Sequence, residues 1–293
     1  MLDADQSPIT VYAYEEDAWV GAGETFGLAE GTTVTGSAAV SVLDGQPYIS
    51  YRDEGMGGKI TASRLVRGPD EDIWETTGLP GQGAGLYHSI SSAISGSALY
   101  ILAASEADSS LSAFRYSTSV GWEDLAPPSV AGSNSILAGT DTAAYIAYED
   151  DVLLTNPIRV REYSSGWSAE ALLSPVVSDP GDIPDGYLDF AADTGTGLLV
   201  LAYYDVTAAG LRVWKYEGST WAEISPVVDA DPAAASVAVA ADQGKVYLLY
   251  RDQTTGRGMV QVYTSTWSAI PLSDEQAGIT GQFNVSSLRL QAR

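Results

Sequence analysis

The chain has 293 residues, of which 45% are hydrophobic and 18% charged, so it has enough apolar material for a full core and too little charge for a disordered polyelectrolyte. Its 38 acidic and 14 basic side chains give a net charge of -24, and we expect repulsion from the phosphates of nucleic acids and anionic membranes. The absence of cysteine excludes disulfides, thiol catalysis and cysteine-ligated metals, and no apolar run is long enough to span a bilayer.

Tryptophan recurs along the chain at intervals of about 50 residues, a length typical of β-propeller blades with four strands each. In five of the six repeats a tyrosine lies four to six residues before the tryptophan. Segments 9–19 and 211–221 align without a gap over this feature. The repeat tryptophans are Trp19, Trp74, Trp122, Trp167, Trp221 and Trp267.

A second landmark, an apolar-x-Tyr-x-Asp pattern, ends a predicted strand in most repeats. A short apolar segment precedes it and an alternating segment follows it, so each repeat reads as four strands of about five to seven residues joined by Gly, Asp, Ser and Thr turns. Between Ile158 and Arg161 apolar residues alternate with arginines, as a pleated strand requires. In chain order the pattern occupies 49–53, 146–150, 201–205 and 248–252, with a degenerate copy at 102–106.

The two chain ends are expected to complete one blade together. The residues before Trp19 supply only the third and fourth strands of this blade. Residues 279–293 would supply its inner strands, so that no open sheet edge remains between the first and last blades. We therefore predict a single all-β domain, 1–293, a six-bladed β-propeller with four antiparallel strands per blade and a ring closed by N- and C-terminal strands sharing one blade. The expected blades are about 1–30 with 279–293, and about 37–78, 88–126, 134–173, 186–226 and 235–272.

The residues of the last repeat, 246–252 and 260–263 with Trp267, resemble bacterial repeat propellers of the Tyr-x-Asp and Tyr-x4-Trp type. They also look like kelch blades, although Arg-Asp, Glu-Asp or Tyr-Asp replaces the kelch double glycine. Segment 161–167 is similar to the outer segment of fungal fucose-binding lectins, which are six-bladed and use an Arg, a Glu and a Trp from adjacent strands. That resemblance implies saccharide binding, but the second-strand arginine of those lectins is replaced here by Tyr48, Tyr145, Val200 or Tyr247.

The aspartate of the Tyr-x-Asp pattern would form an acidic ring on one face of a propeller, with Glu106 and, by alignment, Asp3 as further members. Such carboxylates most often cap their own turns, and binding of a cation or a polyhydroxylated ligand is the alternative. Arg52 and Arg251 precede the aspartate in two repeats, where they either pair with a nearby carboxylate or grip a ligand carboxylate. The ring aspartates among our ligand-binding candidates are Asp53, Asp150, Asp205 and Asp252.

The repeated tyrosines and tryptophans are expected to pack between neighbouring sheets. Stacking on a sugar is possible only for aromatic residues that depart from the repeat, and Trp214, Tyr204 and Tyr187 are of this kind. We include Trp214 and Tyr204 among the ligand-binding candidates.

The longest irregular connection, 174–189, carries four aspartates. Calcium requires six to eight oxygen ligands, and this loop could supply several, although its prolines and glycines equally suit an ordinary surface loop. We expect no other cofactor, and the single histidine, His88, supports neither a catalytic triad nor a multi-histidine metal site. The metal candidates are Asp179, Asp182, Asp185 and Asp189.

Taken together, these features favour a non-catalytic binding propeller for a saccharide or another extracellular polymer. A purely structural or protein-interaction propeller is the first alternative, and a hydrolase or lyase built on carboxylates is the second. We expect a monomer that binds no nucleic acid, and the acidity, low lysine content and lack of cysteine suggest an extracellular or periplasmic bacterial protein.

Overall fold

All regular secondary structure in the described residues is β-strand, and no helix among them is long and apolar enough to cross a membrane. The chain divides into two compact units, Met1–Ala131 and Gly132–Arg293, which are described separately. The computed structural model describes residues 12–15, 18–21, 34–53, 58–68, 72–78, 87–105, 107–126, 132–150, 157–168, 188–205, 210–226, 237–251 and 258–270.

The first unit contains a two-stranded hairpin and two four-stranded antiparallel sheets in which each strand pairs with the next along the chain. The hairpin is formed by β1 (Tyr12–Glu15) and β2 (Ala18–Gly21). The first sheet is formed by β3 (Val34–Leu43), β4 (Gln46–Asp53), β5 (Lys59–Arg67) and β6 (Asp72–Thr76). The second is formed by β7 (Tyr87–Ser95), β8 (Ala98–Ser105), β9 (Leu111–Ser117) and β10 (Gly121–Asp124).

The second unit contains three sheets with the same up-and-down order. The three-stranded sheet is formed by β11 (Gly132–Gly139), β12 (Ala144–Asp150) and β13 (Ile158–Tyr163), and a bridge from Tyr163 to Trp167 stands where a fourth strand would pair. The next sheet is formed by β14 (Leu188–Ala192), β15 (Leu199–Asp205), β16 (Gly210–Glu217) and β17 (Thr220–Glu223). The last is formed by β18 (Val237–Asp242), β19 (Lys245–Arg251), β20 (Gly258–Tyr263) and β21 (Trp267–Ile270).

Tight turns between the first two strands set the register of these sheets. Asp44 and Gly45 join β3 to β4 with φ values of 53° and 74°, and Gln243 and Gly244 join β18 to β19 with φ values of 50° and 76°. Two consecutive residues with positive φ match the right-handed twist of a hairpin, which is why Asp-Gly is favoured there. The antiparallel four-stranded repeat predicted from the sequence is therefore observed.

The core lies between successive sheets within each unit, because both faces of the first two strands are apolar or small. In the first unit Ile60 of one sheet and Ile101 of the next share a buried cluster. In the second unit Tyr204 and Val239 do the same. Ile158 and Val160 of β13 are buried while Arg159 and Arg161 are half-buried, which confirms the predicted alternation.

The predicted ring closure depends on residues 279–293, which lie outside the described residues. Closure, the single-domain assignment and the blade boundaries therefore stay predictions.

Candidate functional site

The tyrosines of the Tyr-x-Asp pattern are buried structural residues whose hydroxyls are held by the third strand of the same sheet. Arg161 Nε donates to the Tyr148 hydroxyl at 2.9 Å, and Gln261 Nε2 donates to the Tyr250 hydroxyl at 2.8 Å. In both sheets the donor follows by two positions the residue that pairs with the tyrosine in the strand register. The buried members of this set are Tyr51, Tyr148, Tyr203 and Tyr250.

The other two tyrosines of the pattern, Tyr51 and Tyr203, are also buried, and their pKa values are raised. Burial raises the pKa of the Tyr203 phenol, and Trp214, which lies against its hydroxyl, acts in the opposite direction. Burial likewise raises the pKa of Tyr51, and a hydrogen bond from Ser63 opposes it. Since all four tyrosines are buried with a third-strand side chain beside the hydroxyl, the pattern serves the packing of each sheet.

Two aspartates of the predicted acidic ring are paired with arginines on the neighbouring third strand. Asp150 Oδ2 lies 3.4 Å from Arg159 Nε, and Asp205 Oδ2 lies 3.5 Å from Arg212 Nε. The two pairs occupy equivalent register positions, since Tyr148 faces Arg159 as Tyr203 faces Arg212. An inward-turned, paired carboxylate supports the structural interpretation of the ring over ligand binding.

The first-unit candidates also make internal contacts. The Arg52 guanidinium donates to the Tyr87 carbonyl of the next sheet at 3.2 Å, and Asp53 is buried with its own carbonyl accepting from Gly58 N–H. In the degenerate copy, the strand register places Ser105, which pairs with Tyr87, at the position equivalent to Asp53. This position is one residue earlier than the predicted Glu106. Asp252, Glu106, Asp3 and the Arg251 side chain lie outside the described residues.

The aromatic candidates for sugar stacking are not exposed. Tyr204 is 2% exposed and packs with Val237 and Val239 in a core cluster. Trp214 is half-buried against a second cluster and lies against the Tyr203 hydroxyl. Tyr204 therefore offers no ring face to a ligand, and Tyr187 lies outside the described residues.

Asp189, a metal candidate, connects two sheets by a hydrogen bond. It sits on β14, is buried, and its Oδ2 accepts the backbone N–H of Val239 on β18 at 2.7 Å. Asp179, Asp182 and Asp185 lie outside the described residues, so the calcium loop stays a prediction. Within the described ranges no group of three His, Cys, Asp or Glu side chains could hold a metal ion.

Asp193 makes a second carboxylate connection between the same two sheets, which the sequence analysis missed. Its Oδ2 accepts Gly244 N–H at 2.7 Å and the Thr196 hydroxyl at 2.6 Å, while Oδ1 accepts Gly195 N–H at 3.0 Å. Burial acts to raise the pKa of Asp193, but the hydrogen bonds from Thr196, Gly244 and Gly195 together hold it below its usual value. An Asp-x-Gly-Thr turn after an apolar strand is the sequence signal for the hydrogen bonds of Asp193 with Gly195 and Thr196, which lie in its own turn.

We expect Asp193→Asn to be less stable than the wild type at pH 7, and the difference to shrink in acid. A pKa lower in the folded than in the unfolded state adds stability that is present above the unfolded value of about 3.9 and is lost as pH falls through the folded value. Urea unfolding at pH 7, 5 and 3 measures it, with the exposed Asp141→Asn as the control. A stability difference that did not change with pH would contradict this role.

Two of the repeat tryptophans, Trp122 and Trp267, pack between neighbouring sheets, as predicted. Trp122 Nε1 donates to the Thr77 carbonyl of the preceding sheet at 3.2 Å, and Trp267 Nε1 donates to the Ile224 carbonyl. Each acceptor lies three residues after the tryptophan of its own sheet. The Tyr–Trp ring pairs have centroids 5.0 to 5.3 Å apart, in Tyr116–Trp122, Tyr163–Trp167, Tyr216–Trp221 and Tyr263–Trp267.

A charged pair lies beside one of these aromatic pairs in the first unit. Arg64 on β5 and Glu75 on β6 are 3.0 Å apart, with 37% and 45% of their side chains exposed. Tyr48 faces Arg64 across the sheet, and its ring centroid is 5.9 Å from that of Tyr116 in the next sheet. We call this set the Arg64 crevice, formed by Arg64, Glu75, Tyr116 and Trp122, with Tyr48 buried beside them.

The electrostatics show that these groups lie close together. Burial and the neighbouring Tyr116 raise the pKa of Tyr48, and the Arg64 guanidinium acts in the opposite direction. The hydrogen bond to Glu75 raises the pKa of Arg64, so the guanidinium stays charged. An arginine has five N–H donors, and the 3.0 Å contact with Glu75 engages one of its nitrogens.

A second pair of the same kind joins Arg115 on β9 to Glu123 on β10 at 3.0 Å. Arg115 faces Tyr100 as Arg64 faces Tyr48, so the two pairs are equivalent in register. The sequence analysis missed both pairs. Their signal is a glutamate directly after the repeat tryptophan, in Trp74-Glu75 and Trp122-Glu123.

No protein-family model matches the chain, and no curated protein is significantly similar to it. Its structure is similar to that of the fungal lectin of Aleuria aurantia, a six-bladed β-propeller with a fucose recognition mode, at a TM-score of 0.54 and 17% identity over 82% of this chain and 79% of that one. AofleA from Arthrobotrys oligospora matches at a TM-score of 0.54 and 16% identity, over 80% and 70%. The sialidase of Trypanosoma rangeli matches at 0.52 and 14%, over 90% of this chain and 50% of that one.

These structural similarities show that the chain has the fold of a six-bladed β-propeller, which the sequence repeats predicted. At such identities they carry the fold alone.

Proposed function

We propose that the chain is a non-catalytic saccharide-binding propeller and that the Arg64 crevice is its binding site. The observation that carries the proposal is the partly exposed Arg64–Glu75 pair beside the rings of Tyr116 and Trp122. The similarity to fungal lectins supports it.

The crevice offers the two kinds of contact that a sugar needs. A guanidinium donates and a carboxylate accepts hydrogen bonds in fixed directions, which suits vicinal hydroxyls. Aromatic rings pack against the apolar face of a pyranose. Because Glu75 balances Arg64 and the chain carries a net charge of -24, we infer a neutral saccharide.

The carboxylate-based hydrolase or lyase has less support. The likeness to a sialidase covers half of that protein and carries the fold alone. In the described first strands of the sheets, β3, β7, β11, β14 and β18, there is no arginine to grip a substrate carboxylate.

Arg64→Ala is expected to weaken binding of a neutral saccharide at least about tenfold, because a charge-assisted hydrogen bond contributes about 1.5 kcal/mol or more. A glycan array identifies the saccharide, and isothermal titration compares the variant with the wild type. Arg67→Ala, an exposed arginine on the same strand, is the matched control and should bind as the wild type does. A wild type that binds no neutral saccharide, or an Arg64→Ala variant that binds it equally well, would overturn the proposal.

A further inference from the structure

A crevice in the second unit has the same strand register as the Arg64 crevice but carries a carboxylate where the latter has a guanidinium. Tyr145 on β12 faces Glu162 on β13, as Tyr48 faces Arg64 in the first unit. The next sheet supplies Tyr216 and Trp221, whose ring centroids are 5.2 Å apart, against 5.0 Å for Tyr116 and Trp122. We call this set the Glu162 crevice, formed by Tyr145, Glu162, Tyr216 and Trp221.

The four residues of the Glu162 crevice are half-buried, and its three aromatic residues lie against one core cluster. Tyr145, Tyr216 and Trp221 pack on the cluster that includes Val160 and Leu199. Burial raises the pKa of Tyr145, and the charge of Glu162 and the neighbouring Tyr216 raise it further. Tyr145 is therefore within electrostatic reach of both the carboxylate and the aromatic pair of the next sheet.

Ser168 forms hydrogen bonds with both the backbone N–H and the backbone carbonyl of Glu162. Its N–H donates to Ser168 Oγ at 3.2 Å, and its carbonyl accepts Ser168 N–H at 2.9 Å. No arginine or lysine among the described residues forms an ion pair with the Glu162 carboxylate, whereas Glu75 and Glu123 each have an arginine. Tyr145 thus lies near both an unneutralised carboxylate and Tyr216 of the Tyr216–Trp221 ring pair.

We propose that the Glu162 crevice binds a protonated amino sugar. An ammonium group would pair with the Glu162 carboxylate, and the faces of Tyr216 and Trp221 attract a cation and pack against a sugar ring. The strong net negative charge of the chain raises the local concentration of a cationic ligand. The inference rests on the proposed saccharide-binding function, since it assigns a second sugar class to an equivalent position.

Isothermal titration with a short oligomer of glucosamine and with its N-acetylated counterpart tests the proposal. The wild type should bind the amine form at least about tenfold more tightly than the N-acetylated form. Glu162→Gln, which keeps the shape and removes the charge, should lose this preference. Glu217→Gln, an exposed acid of the same unit, should retain it, and unchanged urea midpoints establish that each variant is folded.

A linear diamine separates specific recognition from general attraction to an acidic protein. It should bind at least about tenfold more weakly than the glucosamine oligomer, because it has no ring to pack on the aromatic pair. Equal binding of the diamine, equal binding of the two oligomers, an unaffected Glu162→Gln variant or the absence of any binding would each overturn the inference. Neutral saccharides that still bind through Arg64 would then leave the proposed function standing, and their failure to bind would remove both.

Discussion

Trp122→Ala is expected to lower the free energy of unfolding by about 3 kcal/mol, the larger of the effects that the structure predicts. The indole packs on the Tyr116 ring, lies against Gly78 of the preceding sheet and donates to the Thr77 carbonyl. Truncation to alanine leaves a cavity between two sheets and an unpaired carbonyl. Urea unfolding followed by circular dichroism measures the loss.

Two variants separate packing from hydrogen bonding at this position. Trp122→Phe keeps most of the ring contact and loses the N–H, so we expect a loss of about 1 kcal/mol. Val120→Ala changes a side chain that is 65% exposed in the adjoining turn and should leave stability unchanged. A Trp122→Ala protein as stable as the Val120→Ala control would contradict the role of the repeat tryptophans in joining sheets.

Asp189→Ala is expected to lower the free energy of unfolding by about 2 kcal/mol, because the buried N–H of Val239 loses its charged acceptor. The measurement is urea unfolding in calcium and in chelator. If Asp189 acts through the hydrogen bond, the loss is the same in both solutions. A loss that occurred only in calcium would restore Asp189 as a metal ligand.

Asp189→Asn is the matched comparison for this carboxylate. Its amide keeps one acceptor oxygen without the charge, so we expect a smaller loss than for alanine. Asp141→Ala, at an exposed turn, controls for the removal of one acidic charge from a strongly acidic chain. Equal losses in Asp189→Ala and Asp141→Ala would show that general charge repulsion, rather than the contact with Val239, sets the result.

Part of the candidate site could be anticipated from local patterns. The tryptophan repeat implied that Trp122 and Trp267 pack between sheets, because an aromatic residue at one position per repeat must meet the same neighbour each time. The acidic ring was recognised as a pattern, and capping of its own turns was the preferred interpretation; the ion pairs of Asp150 and Asp205 with arginines, which also give a structural role, were not predicted. Tyr204 was misplaced because a departure from a repeat does not show whether a side chain faces solvent or a core.

The sequence by itself determined the all-β class, the four-strand repeat and the alternation of buried and exposed residues, because these depend on spacings within a few tens of residues. Only the tertiary structure decided which side chains meet across sheets. Arg64 and Trp122 are far apart in the chain, and the contact of Asp189 with Val239 joins strands about 50 residues apart. A period-2 pattern specifies the face on which a residue lies, whereas the neighbour it meets depends on the register and packing of the next sheet.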